Sequence, residues 1–177
     1  MKKALILHGW YQKPEDNWYP WLGHELEKKG YGVLVPPLPT MDTDLPDMEA
    51  QLYKIWEILK VEKDTAVIGH SLGCVLALRL AEKKIFHRMI LVAGWDFDDL
   101  AKEHRSFWQN KINHEAIKQN VKEIFVFSSD NDPFITAFQA EEMSKRLNGK
   151  FILVKGAGHF SKELNKVTKI PEVLQVF

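Results

Sequence analysis

A single cysteine, Cys74, is all the chain contains, so no internal disulfide can form and a reducing cytoplasmic setting is expected. Nowhere do 18 apolar residues run together, which removes the usual signature of a membrane-spanning helix. The opening MKKALILHGW has a charged start, but only four apolar residues follow before His8, too few for the core of a secretory signal. Net charge is also missing. Lys plus Arg and Asp plus Glu number 24 each, so no global field draws the protein to nucleic acid or an anionic membrane. No basic run, internal repeat or low-complexity segment is present. These absences leave neither nucleic acid nor a membrane as an expected partner, and they specify no protein partner.

What is there is ordinary in bulk, at 45% apolar and 27% charged residues, and informative in pattern. The length of 177 residues suits one domain around one core. Apolar, β-branched runs at 3–7, 32–35, 65–69, 88–93, 123–128 and 150–154 read as strands. Most are continuously apolar, the pattern of strands covered on both faces. Helical spacing falls between them at 18–29, 47–59, 72–83 and 136–147, with Asn17 expected to cap the first helix and Gly30 to stop it. The tail from Pro171 reads as a short last helix. Strand alternating with helix argues for a three-layer α/β fold, a mainly parallel sheet of about six strands flanked by helices. Two regions resist this scheme. VPPLPTMDTDLPD carries four prolines, each without a backbone donor, and is expected to be irregular. Residues 94–120, rich in aromatic and charged side chains, are expected to form a small helical insert over the strand ends.

The stretch TAVIGHSLGCVLALRL places a serine between glycines where strand turns into helix. Gly69-x-Ser71-x-Gly73 matches the nucleophile elbow, in which a strained serine stands above the sheet and flanking glycines avoid collision with the turning chain. A hydroxyl needs a base, and the base needs an orienting group. Two later strands run directly into polar loops, SSDNDP and GAGHF. His159 is the expected base, brought close by the flexible Gly156 and Gly158. Asp132 is preferred to Asp130 as the acid, because Pro133 holds Asp132 extended while Ser-Asp-Asn suits an ordinary turn. An oxyanion needs two N–H donors. Leu72, just after the serine, should supply one, and Trp10 in LHGW the other, ahead of Tyr11.

LHGW, GHSLG, SSDNDP and GAGHF, in that order, resemble the small α/β-hydrolase serine hydrolases related to retinoblastoma-binding protein nine and its bacterial homologues. The resemblance spans essentially the whole chain. It implies a six-stranded, mainly parallel sheet, a triad of Ser71, Asp132 and His159, no cofactor, and esterase-like activity on a small substrate. Thioesterase or acyltransferase activity would use the same constellation, and a non-catalytic binding module is the rival from another class. The bulky Trp10 and Tyr11 depart from the glycine-rich oxyanion loop of some relatives, so acyl-chain preference does not carry over.

Other residues read more plainly. Cys74, among apolar neighbours, is expected to be a buried filler rather than a second nucleophile. His8, His70 and His159 show no metal-ligand spacing, and no metal is expected. Trp18, Trp21, Leu22 and Leu26 fall on one helical face. Trp95, Phe97, Phe107 and Trp108 could line an acyl pocket or hold the insert down, and the aspartates from Asp96 to Asp99 should start a helix and face solvent.

Overall fold

The computed structural model describes residues 2–59 and 61–177. Six strands form one sheet in the order β2-β1-β3-β4-β5-β6: β1 (Lys3–Leu7), β2 (Gly32–Leu34), β3 (Thr65–His70), β4 (Phe86–Val92), β5 (Val121–Ser129) and β6 (Lys150–Val154). Every adjacent pair is parallel. Parallel strands need crossovers, and helices supply most of them: α1 (Tyr19–Lys28), α2 (Met48–Tyr53), α3 (Leu72–Ala81), α4 (His114–Asn120) and α5 (Ala137–Arg146). A short α6 (Lys162–Asn165), which helical spacing did not suggest, and a 3₁₀ segment (Pro171–Val176) follow the last strand.

The strands alternate between two buried faces. Leu5, Leu7, Val67, Met89, Leu91, Ile124 and Val126 pack toward one, with the helices from α2 to α5. Ala4, Ile6, Ala66, Ile68, Ile90, Val92 and Phe127 pack toward the other, against Trp18, Tyr19, Leu22 and Leu26 from the α1 region and Val173 near the C-terminus. Two covered faces explain why the strands read as continuous apolar runs rather than alternating ones.

Chain order reverses between β1 and β3: from β1 the chain steps outward to β2, then returns to build β3 on the other side. At such a switch point the loops beyond the strand ends diverge and leave a crevice where open α/β sheets bind ligands.

Three local expectations are corrected. Asn17 does not cap α1; Trp18 stands at that position without a side-chain cap bond. Asn17 instead has a positive φ of 52° and bonds across to neighbouring loops. The helix expected over 47–59 is capped by Asp47, which accepts from the N–H groups of Glu49 and Ala50, but changes to π-helical turns over Lys54–Leu59. Asp96 does not face solvent. Its side chain is 1% exposed, with Arg146 of α5 on both oxygens and His114 of α4 on one. A buried carboxylate needs such partners, and the two come from helices distant in sequence.

Residues 94–120 make the β4–β5 crossover itself. A 3₁₀ turn (Arg105–Trp108) leads toward α4, which runs directly into β5. The buried Arg79 of α3 donates to the Phe107 carbonyl through Nε at 2.9 Å and Nη2 at 2.7 Å. Phe107 is fully buried in the α3-side core, so this aromatic fastens the segment down.

Candidate active site

Ser71 leaves β3 with φ 53° and ψ −123°, a conformation that L residues rarely adopt. Its neighbours hold it there: Ser71 N–H donates to the Val92 carbonyl at 3.0 Å, and its own carbonyl accepts Cys74 N–H at 2.9 Å. The flanking glycines are required for separate reasons. A Cβ on Gly69 would sit 2.7 Å from Cys74 Cα, a collision within the turn. One on Gly73 would sit 2.2 Å from the Leu7 carbonyl oxygen, so this glycine answers to the neighbouring strand β1 and not to the turn.

Above the elbow three side chains form a hydrogen-bonded chain. His159 Nε2 lies 2.9 Å from Ser71 Oγ. His159 Nδ1 lies 2.9 Å from Asp132 Oδ2 and 3.1 Å from Oδ1. The Asp132 side chain is fully covered, and its Oδ1 also accepts the N–H groups of Phe134 at 2.9 Å and Ile135 at 3.2 Å. A carboxylate can only accept, so Nδ1 carries the proton and the lone pair of Nε2 faces the serine hydroxyl. The arrangement can take a proton from Ser71.

Asp130 stands outside this chain, and its position has a structural cause. Its Oδ1 accepts Gly156 N–H at 2.7 Å. Ser129 Oγ accepts Ala157 N–H at 2.9 Å, Asn131 Oδ1 accepts Gly158 N–H at 2.7 Å, and Asn165 Oδ1 accepts His159 N–H at 2.9 Å. Four successive amides of GAGH thus end on four side-chain oxygens. SSDND is a template for the histidine loop, and only its last residue reaches the imidazole. Gly158 has φ 54°, and a Cβ there would meet the Asn165 side chain at 2.0 Å, so this loop closes only around glycine. Spacing in the sequence carries no signal for Ser129, Asn131 or Asn165, because turn formation explains the same residues.

The loop after β1 lies against the nucleophile: a Cβ on Gly9 would be 3.2 Å from Ser71 Cβ. The Gly9 carbonyl accepts from His8 Nδ1 at 3.0 Å and from Gln12 N–H at 3.2 Å. Trp10 N–H belongs to the same trans peptide unit and therefore points the opposite way. Among the described residues neither Trp10 N–H nor Leu72 N–H, at the open end of α3, has a hydrogen-bond partner. Tyr11 differs. Its N–H is spent on the Met41 carbonyl at 2.8 Å.

Other candidates fall into place around this centre. Cys74 is fully buried, its thiol donates to the Val92 carbonyl at 3.3 Å, and burial pushes its ionisation well up, away from a nucleophilic thiolate. His8 is buried and held below the usual imidazole range by desolvation, with Nε2 accepting Leu38 N–H at 3.1 Å. Among the described residues no group of three or more His, Cys, Asp or Glu could hold a metal ion, and no helix is long and apolar enough to cross a membrane. Trp95 is buried, while Phe97 keeps about a third of its surface exposed at 36%.

Burial pushes His70 down to about 3, and the neighbouring His159 adds to the effect while Asp132 opposes it. A base kept neutral by folding contributes stability that is present above its unfolded value of 6.5 and lost as pH falls toward 3. The slope for one such group reaches about 1.4 kcal/mol per pH unit. The urea midpoint should therefore drop between pH 7 and pH 4.5, and the drop should shrink in His70→Gln. Equal drops in both proteins would remove His70 as the cause.

Comparison with known proteins extends the picture over the chain. A family profile described as serine hydrolase matches residues 4–177. Serine hydrolase RBBP9 of Rattus norvegicus is 30% identical over 181 residues, covering 94% of each chain. YdeN of Bacillus subtilis is 25% identical over 181 residues, covering 99% of this chain and 94% of its own. The crystal structure of the B. subtilis ydeN gene product superposes with a TM-score of 0.88 at 23% identity, over 99% of this chain and 96% of that one. Est1E from Butyrivibrio proteoclasticus, solved with ferulic acid bound, shares the fold at a TM-score of 0.76 and 14% identity, over 99% of this chain and 90% of its own. With the α/β-hydrolase sheet and a profile spanning nearly every residue, the chain belongs to the serine hydrolase family of RBBP9 and YdeN.

Proposed function

We propose that the protein hydrolyses a small ester-like substrate through an acyl-enzyme on Ser71. Ser71 Oγ attacks the carbonyl carbon as its proton passes to His159 Nε2. Asp132 holds Nδ1–H and stabilises the imidazolium that forms. The carbonyl oxygen, now negative, is received by the N–H groups of Trp10 and Leu72. As the tetrahedral centre collapses, His159 returns the proton to the departing alkoxide and the alcohol leaves. A water then attacks the acyl-enzyme, giving its proton to His159, and the acid is released as Ser71 regains its hydrogen.

The observation that carries this reading is the 2.9 Å approach of His159 Nε2 to Ser71 Oγ, with Nδ1 of the same ring on the Asp132 carboxylate. Three loops far apart in sequence converge there, and the unpartnered N–H groups of Trp10 and Leu72 are the donors this reading assigns to the oxyanion. A fluorophosphonate probe forms a stable bond only with an activated serine. Wild-type protein should be labelled and Ser71→Ala should not. Unlabelled wild-type protein would instead point to the scaffold serving as a binding module, and a panel varying acyl length and leaving group would separate ester from thioester preference.

A further inference from the structure

His70 precedes the nucleophile and turns its side chain the other way, into the face covered by α1. It is fully buried. Its Nε2 lies 2.9 Å from the backbone carbonyl oxygen of His159. A carbonyl only accepts, so Nε2 carries the hydrogen, and in the uncharged ring Nδ1 is left as an acceptor. Tyr19 supplies the hydroxyl facing Nδ1, at 2.5 Å. The same hydroxyl reaches Gln12 Oε1, and that oxygen lies 3.1 Å from Nδ1 and accepts Gly9 N–H at 3.1 Å. Asn17 Nδ2 donates to the Tyr19 oxygen at 3.2 Å.

One imidazole therefore touches both loops that must meet over Ser71. On one side it holds the carbonyl of the residue that bears the base. On the other, the Tyr19 hydroxyl that donates to Nδ1 also accepts Gly9 N–H at 3.4 Å, and so ties the ring to the loop that carries Trp10. The ring of His70 also lies 5.5 Å from that of His159. A leucine or phenylalanine would fill the same space, but it would leave the His159 carbonyl without its donor and cut the Tyr19 hydroxyl off from the His159 side.

We propose that His70 is a positioning residue for hydrolysis, which sets the His159 loop against the Gly9–Gln12 loop so that imidazole and oxyanion donors face one reacting carbon. The proposal rests on the hydrolase reading above. It assigns His70 no proton transfer with substrate. Its effect is geometric, and a displacement of about 1 Å at a catalytic group costs about 10²-fold in rate.

The test compares His70→Phe with His70→Gln on p-nitrophenyl acetate, with thermal melts of each. Glutamine keeps an amide donor and an oxygen acceptor at nearly the spacing of the two ring nitrogens. His70→Phe should lose about 10²-fold in kcat with KM within about threefold, since ground-state binding does not need the aligned loops. His70→Gln should recover to within about tenfold of the wild type. Should His70→Phe fail to fold, Tyr19→Phe removes only the hydroxyl that links the two sides. It should lower kcat by about tenfold, being one link of the same alignment. The proposal is overturned by a wild-type kcat in His70→Phe, by equal losses in the Phe and Gln variants, by a loss confined to KM, or by an unchanged kcat in Tyr19→Phe. A labelled wild type, an inert Ser71→Ala and an active His70→Phe would sink this proposal alone. An unlabelled wild type would sink the hydrolase reading along with it.

Discussion

Asp132→Asn should lower kcat on the order of 10⁴-fold near neutral pH, while Asp130→Asn should stay within about threefold of the wild type. The two residues are neighbours in one loop, and the difference lies in what each oxygen does. Asp132 Oδ1 accepts two backbone N–H groups, from Phe134 and Ile135. An asparagine must keep its carbonyl oxygen there, because its NH₂ group cannot accept. Its nitrogen then occupies the place of Oδ2, 2.9 Å from His159 Nδ1, and points a hydrogen at it. The imidazole can accept that hydrogen only by moving its own proton to Nε2. Nε2–H would then face Ser71 Oγ, and the base would have no lone pair to receive the hydroxyl proton. Asp130 has a single backbone partner, Gly156 N–H, and an asparagine oxygen accepts it equally well. Steady-state kinetics of both variants on one activated ester decides the matter. Comparable losses in the two would mean that the loop as a whole, and not the one carboxylate, carries the effect.

The same contrast shows where sequence reasoning had a purchase. Buried parallel strands announce themselves, since both faces demand apolar side chains, and 3–7 and 150–154 coincide with β1 and β6 at both ends. Gly69 and Gly73 announce themselves because nothing larger fits beside the elbow, although the obstacle beside Gly73 is β1. Pro133 separates Asp132 from Asp130 by a local rule about backbone shape. Contacts between distant segments leave no such mark. Asp96 sits among acidic neighbours and looks like surface charge, yet Arg146, 50 residues away, draws it inside. Asn17 has the composition of a helix cap, but its side chain meets Tyr19 and the backbone of Lys162. Ser129, Asn131 and Asn165 are turn-forming residue types wherever they occur, and only the folded chain reveals that they hold the amides of the histidine loop. His70 belongs with these. In sequence it is a variable position of the elbow motif, and its partners lie 51 and 89 residues away.

Gly73→Ala should destabilise the fold by about 3 kcal/mol or more, at the upper end of what overpacking costs, and lower the melting temperature by about 10 °C. The new methyl would lie 2.2 Å from the Leu7 oxygen and 2.7 Å from the His8 oxygen. Both are backbone atoms where β1 ends, and β1 is hydrogen-bonded on both sides, to β2 and to β3. No side chain can swing aside, so relief requires α3 to move away from β1. That same movement would separate Leu72 N–H from Trp10 N–H, and activity should fall with stability. Gly156→Ala is the control. Gly156 has φ 71°, but a Cβ there would meet nothing within 4 Å. Only the left-handed backbone is penalised, by about 1–2 kcal/mol. Thermal melts of the two variants should therefore differ by several degrees. If Gly73→Ala melts no lower than Gly156→Ala, then α3 and β1 are not locked together, and the close approach of the elbow to the Gly9 loop needs another cause.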